Sequence, residues 1–251
     1  MTSTSQTTAT PSAHAVNGPD APRSAGPDVP PPDLTLYGIV HRALRRGADR
    51  LATATAELVE RPDPARSAAL QRWYRGYLAE LHSHHEIEDQ ILFPEVARRA
   101  PEMHDHEARV DVEHHMLVEC MDQLDRELRD ATGRPRDRGV LRAAAATAHD
   151  LAVLMHAHLD HEDVHIIPLI ASTLTGPEFD ELEEQARKHG SLSTMAFAVP
   201  FLVESAEPDE MEHLLDTAGA PLRLLLLLTR GRYARRTRAA FDDAPTALQG
   251  V

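Results

Sequence analysis

The sequence has little of what a disulfide scaffold, a β-sheet protein or a membrane protein needs. Its 251 residues include one cysteine, Cys120, so an internal disulfide cannot form, and cysteine-rich zinc or iron–sulfur sites are excluded. Aromatic residues make up 4% of the chain, and a composition rich in Ala and Leu favours helices over strands. The longest apolar run, LLLLL at 224–228, is far too short to cross a bilayer. We therefore expect a helical protein that has no membrane partner.

The N-terminal residues and the net charge allow predictions about where the protein is located and which partners it binds. The first residues, MTSTSQTTAT, lack the charged and apolar regions of a secretory signal, which predicts a cytoplasmic protein. The formal net charge of −14 would repel phosphate overall. Nucleic acid is therefore not expected as a main partner.

Composition divides the chain into three parts. Residues 1–33 are Ser, Thr, Ala, Pro and Gly with almost no large apolar side chains, which predicts a disordered tail. Residues 34–172 carry apolar side chains at helical spacing, and short Pro/Gly turns predict an all-α, up-down-up-down four-helix bundle. Residues 173–251 predict a helical C-terminal extension that packs on the bundle or forms an oligomer contact, with a homodimer as the expected assembly. The helices are predicted at about 34–60, 65–99, 102–131 and 138–172, and then at about 178–188, 192–205, 208–217 and 221–242.

Histidine is abundant and clustered: twelve of the sixteen lie between Leu81 and Ile166. Two stretches repeat one another, HSHHEIEDQILFP at 82–94 and HAHLDHEDVHIIP at 156–168. The repeat aligns His84 with His158, Glu88 with Glu162, Asp89 with Asp163 and Pro94 with Pro168.

Helical periodicity predicts which of these side chains face the bundle interior. Residues three, four and seven apart share one face of a helix. On that basis each long helix directs one histidine inward, and two helices add a glutamate one turn later. The predicted interior set is His41, His84, Glu88, His114, His158 and Glu162.

This set predicts a metal centre. Four imidazoles and two carboxylates are costly to bury unless a metal ion makes each of them a ligand. Nitrogen and oxygen donors without sulfur fit iron, and manganese or zinc less specifically. Two carboxylates that can bridge suit a pair of ions, whereas one structural zinc needs only four ligands. We expect metal affinity to fall below about pH 6, as imidazoles protonate near their ordinary pKa of about 6.5.

The remaining histidines are each expected to be solvent-exposed or to lie behind a ligand. His165 is the exception, because it lies two turns beyond His158 on nearly the same face and would be a fifth ligand or a gate. The other histidines considered are His82, His85, His104, His106, His115, His149, His156, His161 and His189.

The sequence resembles the hemerythrin-like, or HHE cation-binding, family in its bacterial four-His, two-Glu form. The shared features are VHRALRR in helix 1, HHEIEDQILFP in helix 2, VEHHML in helix 3 and HLDHEDVHIIP in helix 4, over about 34–172. The resemblance implies two carboxylate-bridged iron ions (Fe²⁺/Fe³⁺) with an oxo or hydroxo bridge. It implies as ligands the six interior residues, with Glu88 and Glu162 bridging.

Two departures from the invertebrate oxygen carriers of this family bear on function. Helix 3 has Val110 and Val118 where a second histidine would stand, and Asp163, the helix-4 ligand position of the carriers, lies beside Glu162. The resemblance then implies an open iron position for O₂, NO, peroxide or water. Further candidates, as ligands or as residues behind them, are His165, Asp163, His85, His115 and Tyr37.

Two activities fit this centre: peroxide decomposition or NO-linked redox chemistry by an enzyme, and reversible binding or sensing of a diatomic ligand. Two other classes of protein compete with it. A ferritin-like carboxylate oxidase would use Glu-x-x-His pairs, which occur at Glu162–His165 and Glu210–His213. A zinc peptidase would use HEDVH at 161–165, which matches His-Glu-x-x-His but is flanked by Asp160 and contains Asp163.

Overall fold

The computed structural model describes residues 29–189 and 192–242, and every secondary-structure element in them is helical. The α-helices are α1 Thr35–Glu60, α2 Pro64–Ile87, α3 Phe93–Arg99, α4 His104–Gly133, α5 Arg138–His161, α6 Ile167–Thr173, α7 Gly176–His189, α8 Leu192–Val203 and α9 Pro208–Phe241. Two π-helical segments, Glu88–Leu92 and Glu162–Ile166, join α2 to α3 and α5 to α6, and a 3₁₀ turn, Pro101–Met103, precedes α4. The all-α bundle with a C-terminal helical extension is confirmed.

Aspartate caps fix where two of the four long segments of the bundle begin. Asp63 caps α2 by accepting from the backbone N–H groups of Ala65 and Arg66, with Pro64 in the first turn. Asp137 caps α5 in the same way. Because the connections are short, α1, α2–α3, α4 and α5–α6 pack as neighbours around one interior.

Both copies of the sequence repeat contain a π-helical segment that starts at the glutamate. The backbone N–H of Phe93 donates to the carbonyl of Glu88, and that of Ile167 to Glu162, five residues back in each case. Pro94 and Pro168 follow, and a proline ring clashes with the carbonyl four residues before it, which a wider turn relieves. The helix therefore continues through Pro94 to Arg99, after a local widening at the repeat.

The bundle interior has two apolar clusters with a polar layer between them. The larger cluster fills the long body of the bundle, and the smaller one closes the end that holds the π-helical segments. Fully or almost fully buried members of the larger cluster include Leu44, Leu51, Leu81, Leu117 and Leu151. Members of the smaller cluster include Phe93, Met103, Val110, Ile166 and Ile170. Each of the four helical segments crosses from one cluster to the other through the polar layer.

The extension packs against α2 and α1. Phe197 and Phe201 of α8 contact Trp73 edge-on, and the indole N–H of Trp73 donates to Thr237 of α9 (3.2 Å). A Cβ at Gly76 would lie 2.4 Å from the Phe197 ring, so glycine is what allows α8 to approach α2 this closely. The extension is therefore part of the same core, although the domain boundaries at 33 and 172 stay a prediction.

Helix α9 contains a break at Gly219, whose φ of 66° is left-handed, two residues before Pro221. The break falls between the two predicted pieces, 208–217 and 221–242. Beyond it, Leu224, Leu227 and Leu228 are exposed. The homodimer expected through these helices stays a prediction, and the tail predicted at 1–33 lies mostly outside the described residues. Among the described residues, no helix is both long enough and apolar enough to span a membrane.

Candidate metal centre

The six residues predicted to face inward meet in the polar layer. Each of the four bundle segments contributes a histidine, and the two segments with the repeat each add a glutamate at the start of their π-helical turn. The set consists of His41, His84, Glu88, His114, His158 and Glu162. All six are buried, and both glutamates have no exposed surface.

The six side chains form two donor groups that share both carboxylates. In one, donor atoms of His41, His84, Glu88 and Glu162 all lie within 4.8 Å of one another. In the other, the same holds for Glu88, His114, His158 and Glu162. Each group offers two nitrogens and two oxygens, and the shared glutamates join the groups.

Apart from Oε1 of Glu88, the donor atoms that face the interior have no hydrogen-bond partners among the described residues. The unpaired atoms include Nε2 of all four histidines, Oε2 of Glu88 and both carboxylate oxygens of Glu162. Burying so many unpaired polar atoms costs about 1 to 3 kcal/mol each. A metal ion would satisfy them, so this donor set fits one.

The separations between these atoms also fit. His84 Nε2 lies 3.3 Å from Glu88 Oε1, and Nε2 of His41 and of His158 each lie 3.4 Å from an oxygen of Glu162. Two atoms bound to one ion at about 2.1 Å lie about 3.0 to 3.5 Å apart. The spacing is long for a hydrogen bond and suitable for two ligands of one ion.

Three of the histidines are held from behind by carboxylates. Nδ1 of His41 lies 2.7 Å from Asp163, and Nδ1 of His114 lies 3.0 Å from Asp89. Nδ1 of His158 lies 3.3 Å from Glu113. A carboxylate at Nδ1 fixes the tautomer that leaves Nε2 free to bind a metal.

The internal repeat extends to these supporting residues. Asp89 follows Glu88 and supports the histidine of α4, whereas Asp163 follows Glu162 and supports the histidine of α1. The repeat aligns the two aspartates but by itself gives Asp89 no role. The sequence did not predict a role for Glu113, which is marked only by its position next to His114.

Burial sets the protonation of the centre when no metal is bound. Burial raises the pKa of Glu88 to about 8 and also raises that of Glu162, because a buried carboxylate resists ionisation. Burial, together with the neighbouring histidines, lowers the pKa of His84 well below its ordinary value. In the metal-free centre, Glu88 and Glu162 therefore keep their carboxyl protons near neutral pH, and His84 stays uncharged.

Tyr37 lies at one side of the centre. Its hydroxyl donates to Oε1 of Glu88 (2.5 Å), and its ring packs 4.6 Å from that of His41. Burial and the nearby carboxylates raise its pKa well above 10, so the phenol stays protonated. Its O–H is thus a fixed donor beside the His41 and His84 group.

The other candidate residues lie in different places. His85 is buried, stacks on His114 at 4.0 Å and forms a donor group with His114 and His158. His115 is exposed and hydrogen-bonds the carbonyl of Asp111. His165 is exposed and packs against His106 and His161, and Asp163 contacts the outer nitrogen of His41 and the side chain of Arg45. Of the histidines expected to be solvated or behind a ligand, His85 and His161 are buried.

The residues that the competing classes need are not gathered into a second centre within the described chain. Glu210 pairs with Arg42, and His213 pairs with Asp33, so the Glu210–His213 pair lies apart from the buried donors. In HEDVH, Glu162 belongs to both buried donor groups, whereas His165 is exposed. Neither arrangement matches the site its class requires.

Fold and site together define a helical bundle with a buried nitrogen and oxygen donor set for cations. The family model described as the hemerythrin HHE cation binding domain matches residues 39–170, which is more than half of the chain. The chain belongs to the hemerythrin HHE cation-binding domain family, so the resemblance seen in its motifs is confirmed. Searches among curated proteins and among solved structures gave no match.

Proposed function

We propose that this protein holds two iron ions in the polar layer and that it binds, or reacts with, O₂, NO or peroxide there. The observation that carries the proposal is the pair of donor groups that share Glu88 and Glu162. Imidazole and carboxylate donors without a thiolate suit iron, and two shared carboxylates suit a bridged pair.

The residues would divide the work in a simple way. His41 and His84 would hold one ion, His114 and His158 the other, and the two glutamates would bridge. Four protein ligands leave positions free on a six-coordinate ion, so a small molecule has room to bind. Bound iron would supply Lewis acidity and redox capacity.

The chain's own groups would shape what happens at that position. Tyr37 donates its single O–H to Oε1 of Glu88 and so would orient that carboxylate at the His41 and His84 side. Apolar clusters above and below the polar layer exclude bulk water. An entering ligand would therefore be small.

Iron loading tests the proposal directly. Protein reconstituted without oxygen should contain about two irons per chain, because two donor groups are present. His84→Ala should lose iron, whereas His82→Ala, an exposed histidine two residues earlier on α2, should not. A single tightly held zinc, or equal iron loss in both variants, would contradict the proposal.

Reactivity needs its own experiment. The loaded protein is mixed in turn with O₂, NO and hydrogen peroxide, while its optical spectrum and the peroxide concentration are followed. Catalytic loss of peroxide or NO would assign an enzyme, and a reversible spectral change would assign a carrier or sensor. If the di-iron protein shows an unchanged spectrum and no turnover with any of the three, the proposed reactivity is wrong and only the proposed metal binding stands.

A further inference from the structure

An arginine-lined pocket lies outside the metal centre, where α2, α8 and α9 meet. Its volume is about 400 Å³, and its lining includes Arg72, Arg75 and Arg236 around the ring of Phe197. That volume is within the range of about 300 to 1,000 Å³ typical of small-molecule sites. The metal centre makes no use of these residues.

The charge around this pocket is opposite to that of the whole chain. The protein has a formal charge of −14, yet segments 64–79, 192–203 and 221–241 contain nine arginines and no Asp or Glu. These three segments belong to the helices that meet at the pocket. A basic recess on an acidic protein concentrates anions locally and repels them elsewhere.

The arginines at the pocket lack carboxylate partners. Over residues 29–189 and 192–242, neither Arg72, Arg75 nor Arg236 forms a salt bridge, although Arg66, earlier on α2, pairs with Glu57. Burial and the neighbouring Arg232 and Arg72 lower the pKa of Arg236, which shows that like charges are held together here. An anion would relieve that repulsion.

The pocket also has a built apolar wall. Phe197 lies directly on the backbone of α2 because residue 76 is glycine; any Cβ there would lie 2.4 Å from its ring. Phe197 is further packed by Trp73 and Tyr233. A rigid aromatic ring beside guanidinium groups suits a ligand with an anionic end and a flat or apolar body.

We infer that this pocket binds a small phosphate-bearing molecule. Guanidinium groups match phosphate oxygens in pairs, and three of them from two helices converge here. The pocket is too small for a nucleic-acid duplex or a folded partner, so the ligand is free phosphate or a phosphorylated small molecule. This inference does not depend on the metal centre.

Binding can be measured by titration calorimetry on the full, metal-free chain, so that phosphate cannot bind iron. The probes are inorganic phosphate, pyrophosphate and ATP at constant ionic strength. Arg236→Gln should weaken binding about tenfold or more, because a charge-assisted pair is lost. The matched control is Arg235→Gln, an exposed neighbour outside the pocket with the same change of charge, and its affinity should stay within about twofold of wild type.

The outcomes separate the sources and can overturn the inference. Tight binding of phosphate alone would assign the free ion, and tighter binding of ATP would assign a phosphorylated organic molecule beside Phe197. No binding of any probe, or equal weakening in the two variants, would overturn the site. Should Arg236→Gln fail to fold, Arg72→Gln on the exposed face of α2 gives the same test.

Discussion

Two buried carboxylates, Glu204 and Glu162, show how differently one protein treats the same group. Glu204 accepts from Arg46 and Arg50 (2.9 Å each) and from the hydroxyl of Tyr233 (2.5 Å). Glu162 is equally buried, but neither of its oxygens has a hydrogen-bond partner among the described residues. Glu204 ties the extension to α1, whereas Glu162 faces four histidines.

This difference distinguishes a carboxylate that is buried to stabilise the fold from one that is buried to bind a ligand. Two tyrosines of the larger apolar cluster show such pairing: the hydroxyl of Tyr77 donates to the carbonyl of Leu44, and that of Tyr74 to the carbonyl of Met121. The chain can thus satisfy a buried polar atom where it needs only stability. Single unpaired buried atoms occur elsewhere, as at Ser67 and Asp125, but in the polar layer many of them lie within 4.8 Å of one another. Such a concentration points to a partner that is not part of the chain.

The largest expected effect comes from neutralising each carboxylate in turn. Glu204→Gln should lower the free energy of unfolding by about 2 to 4 kcal/mol, because it leaves Arg50 buried with a weaker partner. In metal-free protein, Glu162→Gln should cost less than about 1 kcal/mol, because the native side chain is already protonated and unpaired. Urea denaturation of the two variants measures both values.

Metal content should show the reverse order. Glu162→Gln should lose at least one iron, whereas Glu204→Gln should keep both. If Glu162→Gln destabilised the metal-free protein as much as Glu204→Gln does, Glu162 would stabilise the fold as Glu204 does. The proposed difference between the two carboxylates would then be wrong.

The second effect concerns pH. The raised pKa of Glu88, about 8, means that the folded, metal-free chain keeps a proton that the unfolded chain releases near 4.5. Stability of the metal-free protein should therefore fall as the pH rises from about 5 to 8. Metal replaces that proton, so the gap in melting temperature between loaded and metal-free protein should widen over this range.

Melting curves of both forms at pH 6.5, 7.5 and 8.5 test this. The lowered pKa of His84 acts in the opposite direction, but only below about pH 6.5, where the unfolded chain gains protons that the folded chain excludes. A gap that stays constant from pH 6.5 to 8.5 would mean that the carboxylates are already ionised without metal.

The sequence predicted the bundle and the six inward residues because both depend on periodicity. Apolar spacing located the helices, and the same spacing placed His41 and His114 on the buried face. The pH at which the groups of the centre gain or lose protons was harder to predict from the sequence, because ordinary pKa values take no account of burial. In the folded, metal-free chain, Glu88 keeps its carboxyl proton near neutral pH, whereas His84 stays uncharged.

Features that depend on contacts between helices could not be predicted from one sequence. The pairing of Glu113 with His158, and of Asp89 with His114, joins residues 45 and 25 positions apart. The π-helical turns were also missed, since Pro94 alone suggests a kink or an end rather than a widened turn. The arginine pocket needed the fold, because its lining comes from three separate helices.

The smallest expected effect concerns the residues behind the ligands. Asp163→Asn should weaken iron binding at the His41 side about 10- to 100-fold, because the support at Nδ1 loses its charge. Asp89→Asn should do the same on the other side, through His114. The matched control is Asp111→Asn, an exposed aspartate whose carboxylate faces His115.

Competition with a metal chelator measures the two affinities separately in each variant. Each aspartate should weaken one ion more than the other, since each supports a histidine of a different donor group. Equal weakening of both ions in both variants would mean that the two groups behave as one unit joined through Glu88 and Glu162. If the affinities of both variants match that of the Asp111→Asn control, Asp89 and Asp163 do not support metal binding. Only the histidine and the glutamate of each repeat would then contribute to the centre.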